Sequence, residues 1–478
     1  MKNKIFKISI FLLAAISVLS CTSLVENQNE DPDRLTNADA KNIFQGVLLA
    51  NQFFQTSSTN RHAMIWLNQA TGENRQYVAL NDWNNSVAAD FDDTWNSAYV
   101  NVITQAKLLQ QKASDEVAPR LKGVGQVIEA HCMGTITSLW GDVPFSEIKI
   151  DGSNLTPKFD KQADVYAGVQ NLLNQAILNL NTNVGASISP EKDVYFQGVT
   201  SKWIKLAYSL KARFYLHTKQ YALAKSNALL GINTDAGDFR TVFGSTGSTQ
   251  DFNPYYSFLV YDRDDYMSGD GYAGKLLDPS SALYRGNSKT DESARYAFTY
   301  NTDYFAPYSM NVNGADYGGT TARFGNDAKM PMVTYGEMLL IIAEVDARTD
   351  FVAGLTSYNN YRSLLNTGYS VKYDLESFSY LPYTSADFAT GGIENFNPGT
   401  TNQSALLREI YQERYVYFLG NYECFNDFGR TNNGGGIVLK TGYTGTPQRF
   451  IYPQVEVNSN PNTPSPLPRI TVKTPVHM

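Results

Sequence analysis

The sequence is poor in the residues that build disulfide scaffolds and metal sites. It has 478 residues but only three cysteines, Cys21, Cys132 and Cys424, too few for a disulfide framework at this length. Cys132 and Cys424 fall in or beside helical patterns, which is typical of small buried apolar residues, although a single bridge between them stays open. The four histidines lack metal-binding spacing, and neither His-Glu-x-x-His nor Gly-x-Ser-x-Gly occurs. The residues therefore offer no motif of a zinc enzyme or a serine hydrolase.

Charged residues and long apolar runs are also scarce. Charged residues make up 18% of the chain and the net charge is -7, so the basic surface of a nucleic-acid-binding protein is missing. The apolar run from Ile8 to Leu19 has twelve residues, whereas a membrane-spanning helix requires about 20. The hydrophobic fraction of 42% is that of a globular protein. The length is enough for one large domain or for two to three ordinary ones.

The N-terminus predicts export followed by lipidation. Three lysines at positions 2, 4 and 7 precede the apolar run, which is the pattern of a secretory signal peptide. The run ends in Val18-Leu19-Ser20-Cys21, which resembles a bacterial lipobox. We therefore expect a signal peptide over 1–20, lipidation of Cys21, and a flexible polar tether over 21–36. The alternative is an ordinary signal peptide in which the cysteine occurs by chance.

Residues 37–478 predict one mostly α-helical domain. Apolar residues recur every three to four positions in several stretches, which places them on one face of a helix. Ala207, Ala224 and Ala228 would let two neighbouring helices approach closely, in a pair loosely similar to a tetratricopeptide unit. The clearest periodic stretches are 91–109, 121–139, 165–180, 203–214, 335–348 and 403–419.

Two long stretches show no sustained helical period. Residues 233–330 and 366–400 are rich in Gly, Ser, Asn, Asp and Tyr, and such stretches are usually loop insertions with a functional role. The end of the chain, from Thr431, is rich in Gly, Pro and Asn and predicts an extended coil over the surface.

Aromatic residues supply the candidate ligand site. They form 13% of the chain and include 31 tyrosines. Sugar binding combines flat ring faces with neighbouring polar groups, and two segments have this mixture. The alternative for both tryptophans below is packing against the first helices, since large rings are usually well buried. The first segment contributes Trp66, Arg75, Tyr77, Asn81 and Trp83, and the second contributes Tyr266 and Tyr272 from a loop that also holds Tyr255, Tyr256, Tyr261, Tyr284, Arg263 and Arg285.

An acidic cluster offers a weak candidate for structural calcium. Asp262, Asp264, Asp265 and Asp270 lie close in sequence, and calcium prefers carboxylates on a flexible loop. The order lacks an EF-hand pattern and its closing Glu, so a solvated loop is the alternative. We expect no catalytic metal and no other cofactor.

Five short segments, in order along the chain, resemble the SusD/RagB family of nutrient-binding outer-membrane lipoproteins. The Pro453-Gln454 pair is most similar to the SusD-like type 2 branch, whereas Glu423-Cys424 departs from the pattern of relatives. The segments are Asn29-Glu30-Asp31-Pro32, Leu139 to Phe145, Met338 to Glu344, Arg408 to Arg430, and Ile451 to Asn462.

The resemblance implies a fold and a function. The fold would be a scaffold of tetratricopeptide-like helix pairs with a loop-rich irregular half packed on it. The protein would be a lipid-anchored outer-membrane protein, facing the cell exterior, that binds a nutrient and delivers it to a SusC/RagA-like TonB-dependent transporter. An oligosaccharide is the first choice of ligand, and the protein would not be an enzyme. Three alternatives stay open: a peptide-binding member of the family, a surface glycosidase, and a purely structural adaptor.

Overall fold

The computed structural model describes residues 39–244, 252–301, 308–312, 322–370 and 376–478. The predicted signal peptide, the tether and Cys21 lie outside these residues. Among the described residues the α-helices are α1 Ala40–Gln55, α2 Ser58–Trp66, α3 Gln76–Ala79, α4 Asp92–Asn96, α5 Thr104–Asp115, α6 Pro119–Trp140, α7 Gln162–Asn181, α8 Thr200–His217, α9 Tyr221–Ala228, α10 Pro254–Ser257, α11 Tyr272–Leu277, α12 Ser293–Thr299, α13 Tyr335–Thr349, α14 Phe351–Leu365, α15 Asn402–Tyr417, α16 Glu423–Thr431 and α17 Gln454–Ser459.

Strands are short and form two-stranded antiparallel pairs, β1–β5, β2–β3, β4–β9, β6–β10 and β7–β8. Their bounds are β1 Thr71–Gly72, β2 Val143–Pro144, β3 Phe159–Asp160, β4 Phe239–Arg240, β5 Met267–Ser268, β6 Thr290–Asp291, β7 Tyr300–Asn301, β8 Ser309–Met310, β9 Pro331–Val333 and β10 Ser379–Tyr380. The fold is therefore mostly α-helical, as predicted. The strands are two or three residues long and pair separate segments of the chain.

Consecutive helices pack as pairs, and the pairs stack. Extensive contacts pair α6 with α7, α8 with α9, and α13 with α14. Contacts of α7 with α8 and of α9 with α13 join one pair to the next. Glycine allows α6 and α8 to approach each other closely, because a Cβ at Gly134 of α6 would lie 2.1 Å from Cζ of Phe214 in α8. This stack of helix pairs confirms the predicted tetratricopeptide-like scaffold.

The long helix that precedes α6 is continuous but not regular. A π-helical segment, Ser97–Ile103, joins α4 to α5, so the chain stays helical from residue 92 to residue 115. A π-helical turn carries extra backbone per turn and often lies near functional sites. Tyr99 in this segment donates a hydrogen bond of 2.9 Å to the carbonyl oxygen of Pro144, which ties the segment to β2.

A buried network of ion pairs joins the helices whose sequences carry the family resemblance. Both carboxylate oxygens of Glu344 in α13 accept hydrogen bonds of 2.6 Å from Arg430 in α16. Arg414 in α15 pairs with Asp427 at 2.7 Å, and Arg430 contacts the same carboxylate. Burial alone would raise the pKa of Glu344, but Arg430 and its neighbours lower it to about 2. The carboxylate therefore stays charged in the interior and holds three helices together.

Beyond Thr431 the chain has little regular structure and most of its residues are exposed or half-buried, but a few of its side chains reach the core. Phe450 is fully buried, with its ring centroid 5.2 Å from those of both Trp66 and Trp140. Trp140 donates a hydrogen bond of 2.8 Å to the carbonyl oxygen of Ile451, and Tyr452 donates one to Asp142. The aromatic rings within this Gly- and Pro-rich stretch anchor it to the core, because each buried ring removes a large apolar area from water.

The two predicted loop insertions also contain regular structure. Residues 233–330 include α10, α11 and α12, and residues 366–400 include β10 and a 3-10 turn at Ser385–Phe388. These pieces are too short to leave a helical period in the sequence. Cys132 and Cys424 are both buried and free, so no bridge joins them.

Candidate functional site

An open cleft lies between the end of α1, helix α2 and the segment 252–262. Its volume is about 330 Å³, which is at the lower end of the range for small-molecule sites. Phe53 is 46% exposed, and Tyr261, which is 56% exposed, stacks on the lining residue Phe252 with the ring centroids 6.3 Å apart. We call this the aromatic cleft; its lining residues are Phe53, Thr56, Ser57, Ser58, Arg61, Phe252, Pro254, Ser257, Phe258 and Asp262.

Arg61 is the one cationic residue among the described residues that line the aromatic cleft. Its guanidinium carbon lies 4.1 Å from the ring centroid of Phe258, which is cation–π geometry. Its Nε donates a hydrogen bond of 2.9 Å to the hydroxyl of Tyr77. These contacts fix the guanidinium in place, so that its remaining N–H groups can be offered to a ligand without a large entropic cost.

Backbone pairing holds the two walls of this region together. In the antiparallel pair β1–β5, Thr71 is opposite Ser268 and Gly72 is opposite Met267. The amide of Glu73 then donates a hydrogen bond of 2.8 Å to the carbonyl oxygen of Tyr266. The segment after α2 is thereby fastened to a segment almost two hundred residues later in the chain.

Three of the predicted site residues come together here. The Tyr77 ring lies 5.1 Å from Phe258 and 5.7 Å from Tyr266. Arg75, an exposed residue with a positive φ of 47°, places its guanidinium 5.8 Å from the Tyr266 ring. Tyr77 and Tyr266 are 7% and 6% exposed. They form the packed wall behind the aromatic cleft, and Arg75 covers that wall from the solvent side.

The two predicted tryptophans lie in the packed interior. Trp66 is fully buried, and its ring contacts the rings of Phe425 and Phe450. Trp83 is 2% exposed, with its Nε1 donating a hydrogen bond of 3.1 Å to the carbonyl oxygen of Thr444. Both therefore occupy the packing environment that the sequence left open as the alternative. A polar pocket of about 390 Å³ adjoins Trp83, between residues 84–86 and 444–471.

Asn81 and Tyr272 serve local structure. Asn81 accepts a hydrogen bond from the amide of Gly72 at 3.0 Å and donates one to the carbonyl oxygen of the same residue at 2.8 Å, which closes the turn after β1. Tyr272 begins α11, is 8% exposed, and lies 6.1 Å from the Tyr415 ring. Neither lines the aromatic cleft.

The aromatic cleft also contains residues that the sequence did not single out. Phe53 lies on the solvent-facing side of α1, where the apolar period predicted only the core residues of that helix. Arg61 lies on the following helix, α2. From the second loop the sequence did single out Tyr261, which stacks on the lining residue Phe252. What brings these walls together is tertiary contact between distant segments, which no local pattern reports.

The acidic cluster does not converge on one point. Asp265 accepts a hydrogen bond of 2.6 Å from Asn74, and Asp270 pairs with Lys275 at 3.1 Å. Within the described ranges no group of three or more His, Cys, Asp or Glu side chains is placed to hold a metal ion. Structural calcium at these aspartates remains a prediction from sequence.

Acid and base side chains are scarce among the described residues of the aromatic cleft. Asp262 is the one carboxylate among its described lining residues, whereas glycoside hydrolysis generally uses two that flank the scissile bond. His62, one turn from Ser58, is buried, and burial lowers its pKa to about 4. The imidazole is therefore neutral at physiological pH and packs edge-on to Trp66 at 5.8 Å.

In the part of the chain that the structure describes, no helix combines the length and the apolar character that crossing a bilayer requires.

Comparison with known proteins gives consistent results for sequence and structure. The family model SusD-like 2, described as starch-binding and associating with the outer membrane, matches residues 30–453. No curated protein sequence matches the chain.

Solved structures share the fold. A SusD/RagB family protein from Bacteroides thetaiotaomicron superposes with a TM-score of 0.61 at 20% identity, over 89% of this chain and 95% of that one. A SusD homologue from Bacteroides fragilis gives a TM-score of 0.64 at 14% identity, over 92% and 100%. A chitin-binding SusD homologue from Flavobacterium johnsoniae gives 0.62 at 15% identity, over 91% and 99%.

At these identities the superpositions show the fold alone, and the family model supplies the assignment. Because that model covers most of the chain, and the helical scaffold is the one found in SusD homologues, the chain belongs to the SusD/RagB family and to its SusD-like 2 branch.

Proposed function

We propose that this protein is a lipid-anchored outer-membrane protein that binds an oligosaccharide in the aromatic cleft and delivers it to a TonB-dependent transporter. Membership in a family described as starch-binding and outer-membrane-associated supports a nutrient-binding role. The observation that supports the choice of a sugar is the exposed ring of Phe53 in a cleft that also holds Arg61. A second exposed ring, Tyr261, stacks on the lining residue Phe252.

The chemistry of the aromatic cleft suits a sugar for two reasons. A sugar ring presents flat C–H faces that pack on aromatic rings, and hydroxyls that need hydrogen-bond partners at its edge. Phe53, and Tyr261 through its stack on Phe252, supply the ring faces. Ser57, Arg61 and Asp262 supply partners for hydroxyls. A single carboxylate in the cleft fits capture without hydrolysis.

Binding is tested by titrating the full-length protein, in a detergent without a sugar headgroup, with maltoheptaose and chitohexaose. We expect Phe53→Ala and Tyr261→Ala each to weaken binding about tenfold, since ring stacking and the area it buries are worth about 1–2 kcal/mol. The matched control is Phe396→Ala, because Phe396 is 69% exposed and does not line the cleft. Equal affinity in all four proteins would contradict the site, and binding of peptides in place of sugars would contradict the ligand.

Delivery is tested by recovery of a partner. The tagged protein, solubilised from outer membranes, should bring a large β-barrel transporter with it. Recovery of the protein alone under conditions that preserve membrane complexes would count against the delivery role. Release of a shortened sugar during the titrations would favour the glycosidase alternative.

A further inference from the structure

A second concave site lies on the helical scaffold, in the groove between α7 and α8. Its volume is about 590 Å³, larger than the aromatic cleft, and the two share no lining residue. Exposed alanines, Ala163 and Ala167, form part of one wall, and Tyr215 of α8 stands opposite. The C-terminal 3-10 turn, Pro475–His477, contributes Val476 to the groove.

Amide side chains dominate the polar lining of this groove. Gln170 and Asn171 are adjacent in α7, and Asn174 lies one helical turn beyond them, four and three residues later. Within the described part of the chain the side chains of Asn171 and Asn174 have no hydrogen-bond partner, and both residues are exposed. None of the ten residues that line the groove carries a charge.

The side-chain oxygen of Gln170 is an acceptor without a hydrogen-bond donor in the described structure. The residue is 9% exposed, and its Oε1 is buried without a partner in the described structure. Its Nε2 donates a hydrogen bond of 3.2 Å to the carbonyl oxygen of Lys211, which fixes the orientation of the amide, because the flipped amide would set two oxygens against each other. Leaving a buried acceptor unsatisfied typically costs about 1–3 kcal/mol.

We infer that this groove is a second binding site for an uncharged sugar. Hydroxyl groups can both donate to and accept from the amides of Asn171 and Asn174. A turn of the Gln170 amide toward the groove would also give its Oε1 the donor that it lacks. The methyl groups of the alanines and the ring of Tyr215 offer apolar surface for the C–H face of a sugar. A charged ligand would find no opposite charge among the lining residues, so an acidic sugar or a phosphate is disfavoured.

The test uses the two alanines as local reporters. Full-length protein with 13C-labelled alanine methyl groups, in a detergent without a sugar headgroup, is titrated with maltoheptaose and with chitohexaose. We expect the methyl signals of Ala163 and Ala167 to shift saturably with at least one of these sugars. The signals are assigned from Ala163→Ser and Ala167→Ser.

Variants separate this groove from the aromatic cleft. Asn174→Ala and Gln170→Met should weaken the sugar dependence of the two signals at least fivefold. Asn101 is an exposed helical asparagine outside the groove, and Asn101→Ala should leave the sugar dependence of the two signals unchanged. Tyr261→Ala, beside the aromatic cleft, should also leave it unchanged. Asn174 makes no contact that the fold requires, so its variant stays informative if Gln170→Met folds poorly.

The proposal is overturned if neither sugar moves the two signals at millimolar concentration, or if Asn174→Ala changes nothing. It is equally overturned if the shifts disappear in Tyr261→Ala, because the groove would then only respond to binding elsewhere. If no sugar bound in the aromatic cleft but the signals of Ala163 and Ala167 still shifted with sugar, the proposed function would be refuted and this inference would stand.

Discussion

Tyrosine hydroxyls and arginine side chains hold the buried carboxylates of the irregular half. Tyr358 donates a hydrogen bond of 2.8 Å to Glu409, and Tyr361 donates one of 2.6 Å to Glu413. Arg285 pairs with both of these glutamates, at 2.7 and 2.6 Å. A buried charge is tolerated only when such partners surround it. Many tyrosines of the chain are therefore used inside the protein, which explains why the tyrosine count alone could not locate a ligand site.

Glu394 is the buried carboxyl group whose protonation differs most clearly from that in water. Burial, together with the charge of Glu409, raises the pKa of Glu394 from 4.5 to about 8. Its Oε1 accepts hydrogen bonds from Asn287 at 2.7 Å and from Tyr383 at 2.5 Å. The folded protein therefore keeps a proton at neutral pH that the unfolded chain has already released.

This difference makes stability fall as pH rises between about 4.5 and about 8. We expect Glu394→Gln, which keeps the acceptor oxygen but cannot ionise, to remove that part of the slope. Relative to the parent protein, the variant should gain at least about 1 kcal/mol between pH 5 and pH 8, since one pKa unit corresponds to about 1.36 kcal/mol. Urea unfolding at a series of pH values measures this, and parallel curves for the two proteins would contradict it.

At the scale of elements, sequence periodicity located the long helices well. The period predicts helices over 335–348 and 403–419, and the structure has Tyr335–Thr349 and Asn402–Tyr417. The short pieces that build the aromatic cleft were not predictable in this way. Helix α10 has four residues, and the pairing of β1 with β5 joins segments far apart in the chain. Such contacts depend on the whole fold and leave no local signal.

Close packing between helix pairs gives a prediction with an internal control. Gly134 in α6 and Gly46 in α1 both lie within long helices. A Cβ at Gly134 would collide with the ring of Phe214, whereas a Cβ at Gly46 would meet nothing within 4 Å. We expect Gly134→Ala to destabilise the protein by about 1–3 kcal/mol through overpacking.

The control, Gly46→Ala, should be neutral or stabilising by about 0.5–1 kcal/mol, because alanine favours the helix and nothing obstructs its methyl group. Chemical unfolding of both variants beside the parent protein measures the difference. The packing account would be wrong if the two substitutions had equal effects.

At the scale of the whole molecule, attachment to the membrane rests on the predicted lipidation of Cys21, which lies outside the described residues. We expect Cys21→Ser to release the protein from the outer-membrane fraction while its fold and its sugar binding persist, since the first described helix begins at Ala40. Membrane fractionation followed by immunoblotting tests this. Retention of the variant in the membrane would show that another element anchors the protein.

The whole fold also joins its earliest and latest segments. Asn68 donates a hydrogen bond of 2.8 Å to the carbonyl oxygen of Val438, and Lys440 donates hydrogen bonds to the carbonyl oxygens of Ile65 and Ala70. Burial lowers the pKa of Lys440 to about 8. Two segments about 370 residues apart are thus one structural unit, although sequence reasoning could present them only separately.

This arrangement has a consequence for biosynthesis. The ring of Phe450 fills the space between Trp66, Phe91 and Trp140, so translation must reach residue 450 before that space can be filled. Until then the nascent chain carries an uncovered aromatic surface of the kind that chaperones retain and proteases attack. A prematurely terminated product that stops before this phenylalanine should therefore be degraded rather than accumulate, even though it already contains all of the helix pairs.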